Sequence, residues 1–148
     1  RLVMGTFLMD SEPDGGSRNT DDRPLVLVLD PDPRVGEALV LALRRQAQVE
    51  WVGTGMAGLR IAAEYPVDLV IAETHLPDMS ARDFLRLLRV LQPRLPVALL
   101  GAAIRPEDWG RDAADAHFPK PFDLKQFLLW IADRLTRRFC PAGEDCPD

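Results

Sequence analysis

The chain has 148 residues, 47% of them hydrophobic and 28% charged, with a formal net charge of -5. That is enough apolar material for one cored domain, and an acidic chain lacks the basic footprint of a nucleic-acid binder. Its apolar runs fall far short of the roughly 20 residues that a bilayer span needs, and two cysteines in a polar tail, Cys140 and Cys146, make no disulfide framework, which favours a cytoplasmic location.

Leu2 to Met9 is apolar but runs straight into Asp10, Glu12 and Asp14, without a signal-peptide cleavage region. A start at Arg1 reads as that of a fragment, or in part as residues of cloning origin. Residues 1–24 are expected to form a flexible leader, because 10–24 is rich in Asp, Gly, Ser, Asn and Pro. The folded domain is expected over 25–138 and a second flexible segment over 139–148.

Leu25 to Leu29 is a continuous apolar run stopped by Asp30-Pro31-Asp32-Pro33, the pattern of a strand buried on both faces. Arg34 to Gln46 follows as a helix with Val35, Leu39, Ala42 and Leu43 on one face. Val49 to Val52 reads as a weaker strand, and Gly55 to Tyr65 as a helix halted by Pro66. Asp68 to Glu73 is a third strand. Ser80 can cap a helix reaching Leu91, with Phe84, Leu87, Leu88 and Leu91 predicted on its inner face. Pro96 to Leu100 is a fourth strand. Arg105 to Asp115 predicts a short helix weakened by Gly110, and Ala116 to Pro119 a short fifth strand. Asp123 caps a last helix to Arg138, in which Phe127, Ile131 and Leu135 recur every four residues. The densest basic cluster, Arg134, Arg137 and Arg138, suits the negative end of that helix.

Five strands alternating with five helices predict an α/β chain with a doubly wound parallel sheet, since each parallel crossover needs a helix. In such sheets the functional crevice lies beyond the carboxyl ends of the strands. Asp30, Glu73, Gly101 and Lys120 stand at those ends.

At these residues the chain resembles the receiver domain of two-component response regulators. The resemblance spans 25–138 and is carried by LVLVLDPDPRV, DLVIAETHLPDM, PVALLGA and HFPKPF. It implies a flavodoxin-like (βα)5 fold, a three-layer sandwich around a five-stranded parallel sheet. It also implies Mg²⁺-assisted transfer of a phosphoryl group from a histidine kinase to an Asp at the end of the third strand.

Here Glu73 stands at that acceptor position, with Pro77 marking the turn. Its carboxylate reaches one methylene further, and a misplacement of ~1 Å can cost about a hundredfold in rate. The adjacent acids that the family places after the first strand are reduced to Asp30-Pro31, with Asp32 one residue further out. Gly101 stands where the family has a Thr or Ser hydroxyl, and His117 replaces the switching aromatic of the fifth strand. Lys120 alone is retained, free to pair with Glu73 or Asp30. These read as several independent losses from one reaction on an intact scaffold. No resident cofactor is expected, and any Mg²⁺ binding at Asp30 and Glu73 should be weak.

The expected function is a pseudo-receiver: no enzyme, but a module that binds protein partners without phosphorylation. The fourth helix, fifth strand and fifth helix form the family's usual partner face. Trp109 and Trp130 fall there, although helical spacing favours core packing for Trp130. A homodimer is compatible with that face, and whether a histidine kinase engages the domain stays open. Two alternatives remain. One is a working phosphoacceptor using Asp30, Asp32 or Glu73 with Mg²⁺. The other is a small nucleotide-binding protein, because Gly53-Thr-Gly-Met-Ala-Gly58 fits G-x-G-x-x-G, although the strand before it is weak. His75 reads as a loop residue, His117 as a ring replacement, and Cys140 and Cys146 as solvated thiols.

Overall fold

The computed structural model describes residues 22–101 and 114–138. Within them the chain runs β1 (Leu25–Leu29), α1 (Pro33–Leu43), β2 (Gln48–Val52), α2 (Gly55–Glu64), β3 (Leu69–Glu73), α3 (Ala81–Leu91), β4 (Val97–Leu100), β5 (Ala116–Phe118) and α4 (Leu124–Arg138). The strands form one parallel sheet in the order β2-β1-β3-β4-β5. The expected flavodoxin-like, doubly wound arrangement is therefore present. Of the helix predicted over 105–115, only Ala114 and Asp115 are described, and they lead into β5. The rest of that helix, Trp109, both cysteines and almost all of the leader lie outside the described residues.

Alternation along the strands builds two cores. Val26, Val28, Leu69 and Ile71 face one way, against Leu39 and Leu43 of α1 and Phe127, Ile131 and Leu135 of α4. Leu27, Leu29, Val70 and Ala72 face the other way, against Leu59 of α2 and Phe84, Leu85 and Leu88 of α3. These are the three layers. Trp130 is half-buried against the first core, edge-on to Phe118 with ring centroids 6.0 Å apart.

Helix ends follow local chemistry. Asp32 caps α1 by accepting from Arg34 N, with Pro33 opening the helix; α1 ends at Leu43, earlier than predicted, because the chain must turn to bury Ala47 before β2. Thr54, Ser80 and Asp123 cap the other three helices through Ala57 N, Asp83 N and Lys125 N. The inner face predicted for α3 needs correction. Leu87 and Leu91 are 48% and 42% exposed, while Ala81 and Leu85 are buried with Phe84 and Leu88. The buried arc recurs at i, i+3, i+4 and i+7, and Leu87 and Leu91 fall on its flank. Among the described residues no helix is long and apolar enough to cross a membrane.

One close approach sets how α1 lies on the sheet. A Cβ on Gly36 would stand 2.1 Å from Trp51 Cε2. The Trp51 indole N–H in turn donates to the Asp30 carbonyl at 2.9 Å, so the ring joins α1 and β2 to the end of β1. Gly36→Ala is expected to overpack this contact and lower stability by about 1–3 kcal/mol. Urea denaturation checks this; an unchanged midpoint would mean that the indole is not clamped between α1 and the sheet.

Candidate functional site

The sheet brings the chain ends of four strands to one edge. β1 and β3 are neighbours, so Asp30, directly after β1, and Glu73, the last residue of β3, stand side by side. β4 delivers Gly101 beside Glu73, and Lys120 follows β5 by two residues, before a cis peptide to Pro121.

Lys120 joins the two acids. Its Nζ lies 2.5 Å from Glu73 Oε1 and 2.9 Å from Asp30 Oδ2. Asp30 is 2% exposed. Its other oxygen, Oδ1, accepts from Asp32 N at 2.9 Å, an Asx-type turn across Pro31. Glu73 Oε2 accepts from Thr74 N at 2.9 Å, from Thr74 Oγ1 at 3.0 Å and from His75 N at 3.4 Å. Every oxygen of both carboxylates thus has a partner within the chain.

These contacts set the charge states. Burial works against ionisation of Glu73, but the hydrogen bond and charge of Lys120, with Thr74 and His75, outweigh it and hold the carboxyl below its ordinary 4.5. Burial likewise disfavours the Lys120 ammonium, yet its bonds to Glu73 and Asp30 prevail and raise it above its ordinary 10.5.

The other candidates have separate roles. Asp32 does not turn toward the ammonium: its side chain accepts from Arg34 N and pairs with the Arg34 guanidinium at 3.2 Å. Bonding to Arg34 lowers its carboxyl. His117 is half-buried, with Nε2 3.2 Å from the Gly101 carbonyl. Exposed His75 places Nδ1 3.1 Å from Thr74 Oγ1. Thr74, buried to 2% exposure, and Trp51 were not legible as site residues, because no local pattern marks a threonine that turns its hydroxyl back on the preceding side chain.

Magnesium takes near-octahedral oxygen ligands. Here an ammonium stands between the two carboxylates that could approach such an ion, and Pro31 offers no side-chain oxygen. Among the described residues no group of three or more His, Cys, Asp or Glu is placed to hold a metal.

The glycine motif is absorbed by packing. Asp78 accepts from Gly55 N at 2.8 Å and Met56 N at 3.0 Å, so the α2 amides that would meet a pyrophosphate are already satisfied. Those amide bonds hold the Asp78 carboxyl below its usual range. A Cβ on Gly55 would meet Met79 Sδ at 2.6 Å, and one on Gly58 would meet Leu29 Cδ2 at 2.5 Å.

With this geometry, the family model for the response regulator receiver domain matches residues 26–132. The chain belongs to the response regulator receiver domain family. The transcriptional regulatory protein KdpE of Mycobacterium tuberculosis is 39% identical over 127 residues, covering 83% of this chain and 56% of that protein. The response regulator MtrA of Mycolicibacterium smegmatis is 32% identical over 119 residues, 78% of this chain and 52% of that protein. The chain spans about half the length of the curated relatives it matches. Among solved structures, a CheY-like receiver domain protein of Methanospirillum hungatei aligns with a TM-score of 0.72 at 22% identity, covering 78% of this chain and 96% of that one. The HemR receiver domain of Leptospira biflexa aligns at 0.70 with 25% identity, covering 83% and 100%. The chain is thus a receiver domain of the kind found in two-component response regulators.

The acid–base cluster has a definite pH signature. Glu73, held below 4.5, contributes stability that is present above that pH and is lost as pH falls through its depressed value. Lys120, held above 10.5, contributes stability that is present below that pH and is lost as pH rises through its raised value. Glu73→Gln should therefore melt below the wild type between these limits, and the gap should close on acidification. Thermal melts across pH check this; a gap that stays constant into acid would show that the carboxylate is not stabilised by its neighbours. Lys120→Met leaves the Asp30 carboxylate without its cationic partner and should lower stability, read by urea denaturation, by about 1–3 kcal/mol, less than for a wholly buried pair because the lysine is partly exposed.

Proposed function

We propose that this receiver domain is a phosphorylation-independent binding module whose centre is held in one state by its own side chains. The observation that carries the reading is the Lys120 ammonium, 2.5 Å from Glu73 Oε1 and 2.9 Å from Asp30 Oδ2. An acceptor carboxylate must offer a free oxygen to an incoming phosphoryl group. Glu73 has one oxygen on the ammonium and the other on Thr74 and His75. Attack would require breaking the ion pair, and among the described residues no group of three or more His, Cys, Asp or Glu is placed to hold a metal that would neutralise the incoming charge.

Held this way, the domain contributes a fixed surface. The face of β5 and the last helix supports protein docking, because Arg134 stacks over Trp130, 5.1 Å from the ring centroid, with Trp130 against Phe118. A second copy of the chain is one candidate occupant. Because a longer relative, of which the aligned region covers 56%, is named a transcriptional regulatory protein, an output domain of a longer regulator is another. A cytoplasmic location belongs to this proposal.

Incubation with a small phosphodonor and Mg²⁺, followed by intact mass measurement, tests the reading. No acid-labile phosphate adduct is expected. A stoichiometric adduct would overturn the proposal in favour of acceptor chemistry at Glu73, Asp30 or Asp32, and mapping the modified residue would tell them apart.

A further inference from the structure

Gly101, directly after β4, adopts a φ of 120°. Taken alone, its missing side chain reads as a lost hydroxyl. Its surroundings give it a different meaning. A Cβ at this position would stand 2.2 Å from Glu73 Oε2, 3.1 Å from Glu73 Cδ and 2.7 Å from Thr74 Oγ1. The Glu73 carboxylate therefore fills the volume that a side chain at 101 would need.

The glycine has little freedom to move aside. Its N–H donates to the Phe118 carbonyl at 3.1 Å, and its own carbonyl lies 3.2 Å from His117 Nε2. In the space it leaves, Oε2 turns back onto Thr74 N and Oγ1, and this orientation aims Oε1 at Lys120.

We propose that Gly101 is the positioning residue for Glu73. The absence of a side chain at the end of β4 lets a carboxylate one methylene longer than aspartate fold back against Thr74 and still reach Lys120. Glu73 and Gly101 are then one coupled change, not two separate losses. The biological meaning of the coupling rests on the reading that the Glu73–Lys120 pair replaces phosphorylation. The coupling itself is measured without any phosphodonor, so the two can fail separately.

The test is a double-mutant cycle on the whole chain, with Gly101→Ala introduced into the wild type and into E73D. The positive φ strains alanine equally in both backgrounds and cancels. In E73D the shorter acid withdraws from the contested volume, and the Thr74 hydroxyl, released from Oε2, can rotate away. Urea unfolding should show that G101A lowers the folded-to-unfolded ratio about tenfold more in the wild type than in E73D. Carboxyl NMR titration should show the Glu73 midpoint rising in G101A toward the ordinary carboxylate range, a change that general destabilisation would not produce. Equal losses in the two backgrounds, or an unmoved Glu73 midpoint, would overturn the proposal. If G101A folds only together with E73D, the coupling is established outright; if neither folds, it is refuted.

Discussion

The arrangement of this domain depends on one ammonium group shared by two carboxylates at the carboxyl edge of the sheet. Lys120 reaches Asp30 and Glu73 only because β1 and β3 are adjacent and β5 ends on the same edge. Such a cluster is not a large net source of stability, since desolvation of the charges offsets much of their attraction. Its effect is on which arrangements are allowed. Removing one member strands the others, and through these contacts the strand ends, the β3–α3 turn and the β5–α4 turn are tied together.

Backbone geometry reinforces that placement from three directions. The Asx turn at Asp30 carries the chain over Pro31 and directs Asp32 to cap α1, away from the ammonium. The Trp51 indole holds the Asp30 carbonyl from the β2 side. On the far side, His117 contacts the carbonyl of Gly101, whose bare α-carbon accommodates the Glu73 carboxylate. The proposed fixed centre thus rests on satisfied polar groups as well as on missing ones. Here the chain supplies at least one donor to every oxygen of both carboxylates.

Much of this was legible in the sequence because it is local. Apolar runs stopped by Asp30 and Glu73 located the strands, and Ser80 and Asp123 located helix starts, since strand burial and capping operate within a few residues. The doubly wound topology put Asp30, Glu73, Gly101 and Lys120 at strand ends on one edge, and the resemblance gave those positions their expected roles. Leu87 and Leu91 were misplaced because helical periodicity defines a stripe and not its width, and packing buried Ala81 and Leu85 instead. The glycine pattern at Gly53, Gly55 and Gly58 invited a nucleotide reading that only the neighbours Asp78, Met79 and Leu29 answer.

By itself, then, the sequence determined the class of fold, the order of its elements and the identity of the charged groups at the strand ends, because these follow from periodicity, capping and the need of parallel strands for crossovers. Tertiary structure alone decided how those groups share their bonds. It put both acids on one lysine, turned Thr74 onto Glu73, sent Asp32 to Arg34 and made Gly101 a matter of volume. The lysine's two acids and the volume at Gly101 depend on distances between residues far apart in the chain, at a scale where one methylene changes the outcome; the contacts of Thr74 and Asp32 join near neighbours in sequence, whose side-chain directions are chosen by those distant groups.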